Sequence, residues 1–113
     1  MKITESGCLV RIYVGERDKW HGKPLFEALL AKALELDLAG ITVFRGLMGF
    51  GAKRHMHTAK LLALSEDLPI TIEIVDKREK VDTLLPYLDV MVSGGHVVLQ
   101  PVEVIHYVEE RDG

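Results

Sequence analysis

The chain has 113 residues, 48% hydrophobic and 27% charged, with one cysteine and a net charge of −3. That size predicts one compact domain, and the longest apolar run falls far short of the roughly 18 residues a membrane span needs. With no charged-then-apolar leader at its start, the chain is expected to be cytoplasmic, with no membrane insertion. The lone Cys8 excludes an internal disulfide framework and a cysteine-pair zinc site. The acidic balance argues against bulk attraction to nucleic acid.

Cys8 to Val14 is rich in β-formers and is stopped by Gly15 and the charged run Glu16 to Lys19. Gly22-Lys23-Pro24 then opens a helix over Leu25 to Leu38, proline suiting the first helical position. Phe26, Leu29, Leu30, Ala33 and Leu36 repeat at helical spacing, and Gly40 is placed to end the helix in a left-handed conformation. Ile41 to Phe44 reads as a second strand. Arg45 to Thr58 follows neither period and reads as a loop; Thr58 to Leu64 is a candidate short helix. From Pro69, Ile70, Ile72 and Ile74 alternate with Thr71 and Glu73, the pattern of a strand with one buried face.

Asp76 and Glu79 resemble a capping box, and Val81, Leu84, Leu85 and Leu88 form the stripe of a helix docked on a sheet. Pro86 predicts a kink or an early end. Ser93-Gly94-Gly95 reads as a turn. Val97 to Val108, interrupted at Pro101, reads as two short strands or one bent edge strand, and Glu109 to Gly113 as a polar tail. The order strand, helix, strand, strand, helix, strand predicts an α+β ferredoxin-like fold, an antiparallel sheet with two helices on one face. Cys8 to Val14 and Val97 to Val108 carry apolar residues at both parities. A two-sided apolar sheet needs a second cover, which predicts an oligomer with sheets facing inward.

Charge patterning supplies the clearest functional signal. Leu38 to Ser65 contains no Asp or Glu, while Arg45, Lys53, Arg54 and Lys60 give it +4; the net −3 thus splits into +4 here and −7 elsewhere. Glycine lets backbone N–H groups approach an anion closely and Lys or Arg neutralises it, so this segment is a candidate anion site as well as a candidate solvated loop. Its spacing is not that of a Walker loop. His55 and His57 would share a face in extended chain but lack a nearby third ligand, so no metal site is assigned. His21 stands at a helix start; His96 and His106 lie in or beside strands. Cys8 sits in an apolar strand where a thiol acts as a small hydrophobe, and Ser93 lacks a nucleophile elbow. No catalytic centre is expected.

Gly40-Ile-Thr-Val-Phe-Arg-Gly46, with Gly49-Phe-Gly51 after it, resembles the second strand and T-loop base of PII signalling proteins. Leu68-Pro-Ile-Thr-Ile-Glu-Ile-Val75 is similar to their third strand and Pro101-Val-Glu-Val-Ile105 to the strand that closes a subunit. Gly22-Lys-Pro-Leu25, His57-Thr-Ala-Lys-Leu-Leu62, Ser65-Glu-Asp-Leu-Pro69 and Ile74-Val-Asp76 bring the chain closer to a PII-like family of unknown function. The resemblance spans roughly residues 8–107 and implies a homotrimer that binds adenine nucleotides in clefts between subunits. By matched position it implies nucleotide binding by Gly46, Gly49, Gly51, Lys53 and Arg54 at the T-loop base, and by Gly94, Gly95 and His96 in the phosphate-cradling loop. Arg45, Phe50, His55 and His57 would then belong to the partner-binding loop.

The chain departs from the PII pattern in three places. Val92-Ser-Gly-Gly-His96 lacks the basic residue of the PII phosphate loop, and His106-Tyr-Val-Glu-Glu stands where PII proteins carry paired arginines. Phosphate contacts would fall to His96, Lys53 and Arg54, or the site would hold another ligand. Phe50 to Lys60 also lacks the tyrosine that PII proteins use for uridylylation.

The leading expectation is a trimeric regulator that senses a small anionic metabolite, chiefly an adenine nucleotide as effector, with no cofactor. Its loop over Arg45 to Thr58 would engage a partner enzyme or transporter. A second class is a small-molecule enzyme of the oligomeric ferredoxin-like type, with His21, His55 or His57 as acid–base group. RNA binding on the sheet ranks last, with Tyr13 and Tyr107 as its platforms.

Overall fold

A computed structural model describes residues 1–49, 57–58 and 67–109. Its elements are β1 (Lys2–Gly15), β2 (Lys19–Trp20), β3 (Lys23–Pro24), α1 (Leu25–Glu35), β4 (Ile41–Arg45), β5 (Met48–Gly49), β6 (His57–Thr58), β7 (Pro69–Asp76), α2 (Arg78–Met91) and β8 (His96–Tyr107). The main sheet is antiparallel in the order β4-β7-β1-β8. With both helices on one face, this is the expected ferredoxin-like arrangement.

Alternation decides which side chains meet the helices. Cys8, Val10, Ile12 and Val14 of β1 face inward beside Ile70, Ile72 and Ile74 of β7, and Leu25, Leu29, Ala33, Val81, Leu84 and Leu88 close over them. Each fully buried side chain of this kind contributes about 1.5–3 kcal/mol. The opposite face has no helix. It carries Leu9, Tyr13 and Val98 around an ion pair between Arg11 Nε and Glu73 Oε2 at 3.0 Å.

Several expectations are corrected in detail. The first strand begins at Lys2, six residues before Cys8, because β8 runs unbroken and pairs with it from Tyr13↔His96 to Lys2↔Tyr107. The last strand is thus one edge strand. Pro101 is tolerated there because an edge strand has one side on which a missing N–H breaks no ladder bond.

α1 stops at Glu35, and the left-handed residue is Asp37, with φ of 60°, not Gly40. Leu38 N donates to Ala33 O and Asp37 N to Leu34 O, each at 3.0 Å, the two bonds of a Schellman motif. Aspartate is costlier than glycine in that conformation and sets a negative charge at the negative helix end. Asp37→Gly is expected to raise stability by about 1 kcal/mol. Chemical denaturation measures it; an unchanged midpoint would contradict the cap assignment.

Asp76 forms no capping box. Its carboxylate accepts from Ala39 N at 2.8 Å and Lys77 N at 2.7 Å, tying the end of β7 to the turn after α1. α2 continues through Pro86 to Met91. Pro86 and Asp82, whose carbonyl loses its partner, are exposed to water, while Leu84, Leu88 and Met91 anchor the helix on both sides of the break. Arg45 belongs to β4, and Met48–Gly49 pairs with His57–Thr58, so the segment read as loop contains a short ladder and Thr58 is a strand residue. The rest of the helix expected over Thr58 to Leu64 lies outside the described residues, as does the tail beyond Glu109.

Candidate functional site

Antiparallel pairing brings four strand ends together. The carboxyl ends of β1 and β4 and the amino ends of β7 and β8 share one end of the sheet, with Gly15↔Pro69, Arg45↔Ile70 and Tyr13↔His96 as outermost pairs. Gly46 follows β4 directly, and its N–H donates to Pro69 O at 2.7 Å. Gly49 lies in β5, three residues on.

Gly94 and Gly95 precede β8 at the same end. Gly94 has φ of 82°, and Gly95 packs against the Tyr13 carbonyl so closely that a Cβ would collide with it. The His96 ring stacks on Tyr13, with centroids 4.7 Å apart and planes 22° from parallel. Phe50, Gly51, Lys53, Arg54 and His55 lie outside the described residues, and for His57 only the backbone in β6 is described.

One set of glycines borders β4 and the other borders β8, the two outer strands of the main sheet. Three strand spacings separate them, roughly 14 Å. Each set thus marks a candidate half-site beside a different outer strand, at the same end of the sheet.

The first half-site contains a charge pair that sequence reading missed. Arg45 Nε lies 2.7 Å from Glu16 Oε2. That oxygen is shut off from water and accepts no aligned hydrogen bond from the described residues, so the Arg45 cation balances it. Arg45 remains largely exposed, and so open to an anion arriving from solvent. Behind the pair, Arg17 N donates to Asp67 Oδ1 at 2.9 Å and Glu16 N to Leu68 O at 2.8 Å. The run Glu16 to Lys19, read only as a strand stop, thus ties the end of β1 to the residues before β7. The available signal was a cluster of alternating charge beside Gly15.

The histidines whose side chains are described fall in three places: His21 stacks on Trp20, His96 borders the second half-site, and His106 pairs with Glu5 at 3.0 Å at the far end of the sheet. Tyr13 and Tyr107 stand at opposite ends of the β1–β8 ladder, roughly 35 Å apart, too far to form one platform. Among the described residues no three His, Cys, Asp or Glu side chains gather as a metal ion requires. No helix among them is long and apolar enough to cross a membrane.

The family model DUF190, Uncharacterized ACR, matches residues 7–104. A UPF0166 protein of Aquifex aeolicus is 37% identical over 98 residues, covering 87% of this chain and 92% of that one. A UPF0166 protein of Methanocaldococcus jannaschii is 29% identical over 97 residues, covering 85% and 89%. Among solved structures, the fold is similar to CPII, a nitrogen regulatory PII-like protein from Thiomonas intermedia K12, bound to ADP, AMP and bicarbonate. The TM-score is 0.65 at 20% identity, covering 90% of this chain and 91% of that one. The apo form of CPII gives 0.57 at 14% identity, covering 95% and 100%. At these identities the likeness is one of fold.

Proposed function

Because this chain belongs to the DUF190 family and shares the fold of a PII-like protein, we propose that it is a cytoplasmic, single-domain PII-like regulator that works as a homotrimer. It senses a small anionic metabolite, an adenine nucleotide, in clefts between subunits. Its loop over Arg45 to Thr58 signals ligand state to a partner enzyme or transporter. The observation that carries this reading is the placement of two glycine-bordered half-sites at one end of the sheet on opposite edges. Such a subunit completes a pocket only against its neighbour, and the helix-free face with Tyr13 and Val98 gives the neighbour a surface to cover. The nucleotides bound by CPII, on the same fold, support the choice of ligand.

In the assembled cleft, Gly46 and Arg45 stand on one side and Gly94, Gly95 and His96 on the other. Lys53 and Arg54 complete the phosphate-facing cations on the sequence match. A phosphate chain offers Arg45 a second carboxylate-like partner, so binding shifts the Arg45–Glu16 balance at the root of the loop. Differential contact of this kind is sufficient to bias the loop between two states.

Calorimetry with ATP, ADP and AMP tests the reading directly. Binding of at least one is expected, and silence from all three at millimolar concentration would remove nucleotide sensing. Replacing Lys53 and Arg54 together by alanine is expected to weaken ADP binding about tenfold, one lost charge-assisted contact, without changing subunit number. An unaltered affinity in that variant would move the cations elsewhere.

A further inference from the structure

Between β1 and α1 the chain makes a two-rung hairpin. Lys19 pairs with Pro24 and Trp20 with Lys23, leaving His21 and Gly22 as a two-residue loop. Both have positive φ, 49° and 82°. This is the geometry of a type I′ turn, in which Asn-Gly is the favoured pair. Histidine at the first position gives up stability that asparagine or glycine would keep.

The His21 ring lies flat on the Trp20 indole, with centroids 4.2 Å apart and planes 14° from parallel. Trp20 is half-buried against the core, so it forms a fixed backing, while His21, Lys19 and Lys23 are exposed. The base of the hairpin is pinned at the level of the first half-site. Gly15 N donates to Asp18 Oδ2 at 2.9 Å and Leu25 N to Asp18 O at 2.8 Å. Glu16, which holds Arg45, stands no more than about 14 Å of chain from Trp20.

We propose that the His21 imidazole, backed by Trp20, is a stacking platform for the base of the nucleotide, with Lys19 and Lys23 as flanking cations. The inference rests on the nucleotide reading above and adds the residue that recognises the base. Three features point to it: an exposed planar group on a rigid aromatic backing, cations on both flanks, and a strained backbone where an ordinary turn residue would be cheaper. Backbone strain of this kind clusters at functional sites. Every base offers a π-face, and one base–aromatic stack is worth about tenfold or more in affinity.

The test uses His21→Asn, which creates the favoured Asn-Gly pair and so keeps the turn while removing the ring. ADP binding is measured by calorimetry in both proteins, thermal melting is followed alongside, and the emission of Trp20, the only tryptophan in the chain, is recorded through the titration. The expected result is about tenfold weaker ADP binding at an equal or higher melting temperature. In the unaltered protein, Trp20 emission should change with the same midpoint as the heat. Unchanged affinity in His21→Asn, or constant Trp20 emission at saturating ADP, overturns the platform and leaves nucleotide sensing intact. A lowered melting temperature in the variant also overturns it, since the stack then serves the fold. Absence of ADP binding in the unaltered protein strikes the nucleotide reading itself, and the platform with it.

Discussion

Gly95→Ala is expected to destabilise the protein by about 3 kcal/mol, whereas Gly94→Ala costs about 1 kcal/mol, though the two glycines are adjacent. A Cβ at residue 95 would collide with the Tyr13 carbonyl oxygen and press on Val14 and Val92 as well. The backbone of β1 cannot retreat, because it is bonded to β7 on one side and β8 on the other. The start of β8 must give way instead, taking the His96–Tyr13 stack with it. Gly94 has nothing within 4 Å of its missing Cβ, and its cost is only that of a side chain at φ of 82°. Chemical denaturation of both variants gives the comparison. Equal losses would mean that the β8 end yields freely and that the second half-site is not held in place by Gly95. Under the nucleotide reading, ADP binding falls with Gly95→Ala even at temperatures where the variant is folded.

Periodic parts of the fold were readable because burial imposes a period. Ile70, Ile72 and Ile74 could be assigned to one face without any partner in view, and so could the stripe Val81, Leu84, Leu88 of α2. The apolar residues at both parities around Cys8 to Val14 place Leu9 and Tyr13 on the helix-free face, beside the Arg11–Glu73 pair. Features decided by tertiary partners were hidden. Gly40 was the better local candidate for the left-handed cap, yet Asp37 takes that position because Leu36 and Leu38 must both turn inward toward the core. Pro86 predicted a kink or an early end, and α2 does not end there; the buried residues on either side of it outweigh one lost hydrogen bond. The polar start of β1 looks like no strand and exists because β8 is long enough to pair with it.

The candidate site divides in the same way. Gly46, Gly94 and Gly95 stand out by composition and by resemblance, but which edge each occupies follows from strand order alone. The Arg45–Glu16 pair joins the acid-free segment to a run of alternating charge, and a map of net charge along the chain treats the two separately. The His21-Gly22 turn was read as a helix entry, because two rungs of ladder are too short to leave a pattern.

Under the homotrimer and nucleotide readings, Val98→Glu is expected to dissociate the assembly and abolish ADP binding in one step. Val98 stands on the helix-free face opposite Arg11, whose guanidinium already pairs with Glu73. In a separate subunit the side chain is 41% exposed, so a carboxylate there stays in water beside a cation and costs little. Between subunits that carboxylate would be buried without a free partner, at about 3 kcal/mol or more for each copy. Symmetry multiplies the effect, since every subunit of a ring carries the change into the same interface. In that reading the half-sites meet across subunits, so a separated subunit keeps both of them and completes neither. Light scattering should report a single-subunit mass with an unchanged far-ultraviolet circular dichroism spectrum, and calorimetry a loss of ADP affinity of more than about a hundredfold, the scale of such an interface penalty. A variant that is monomeric yet binds ADP as before would place the site within one subunit. A variant that remains assembled would leave some other surface to hold the copies together.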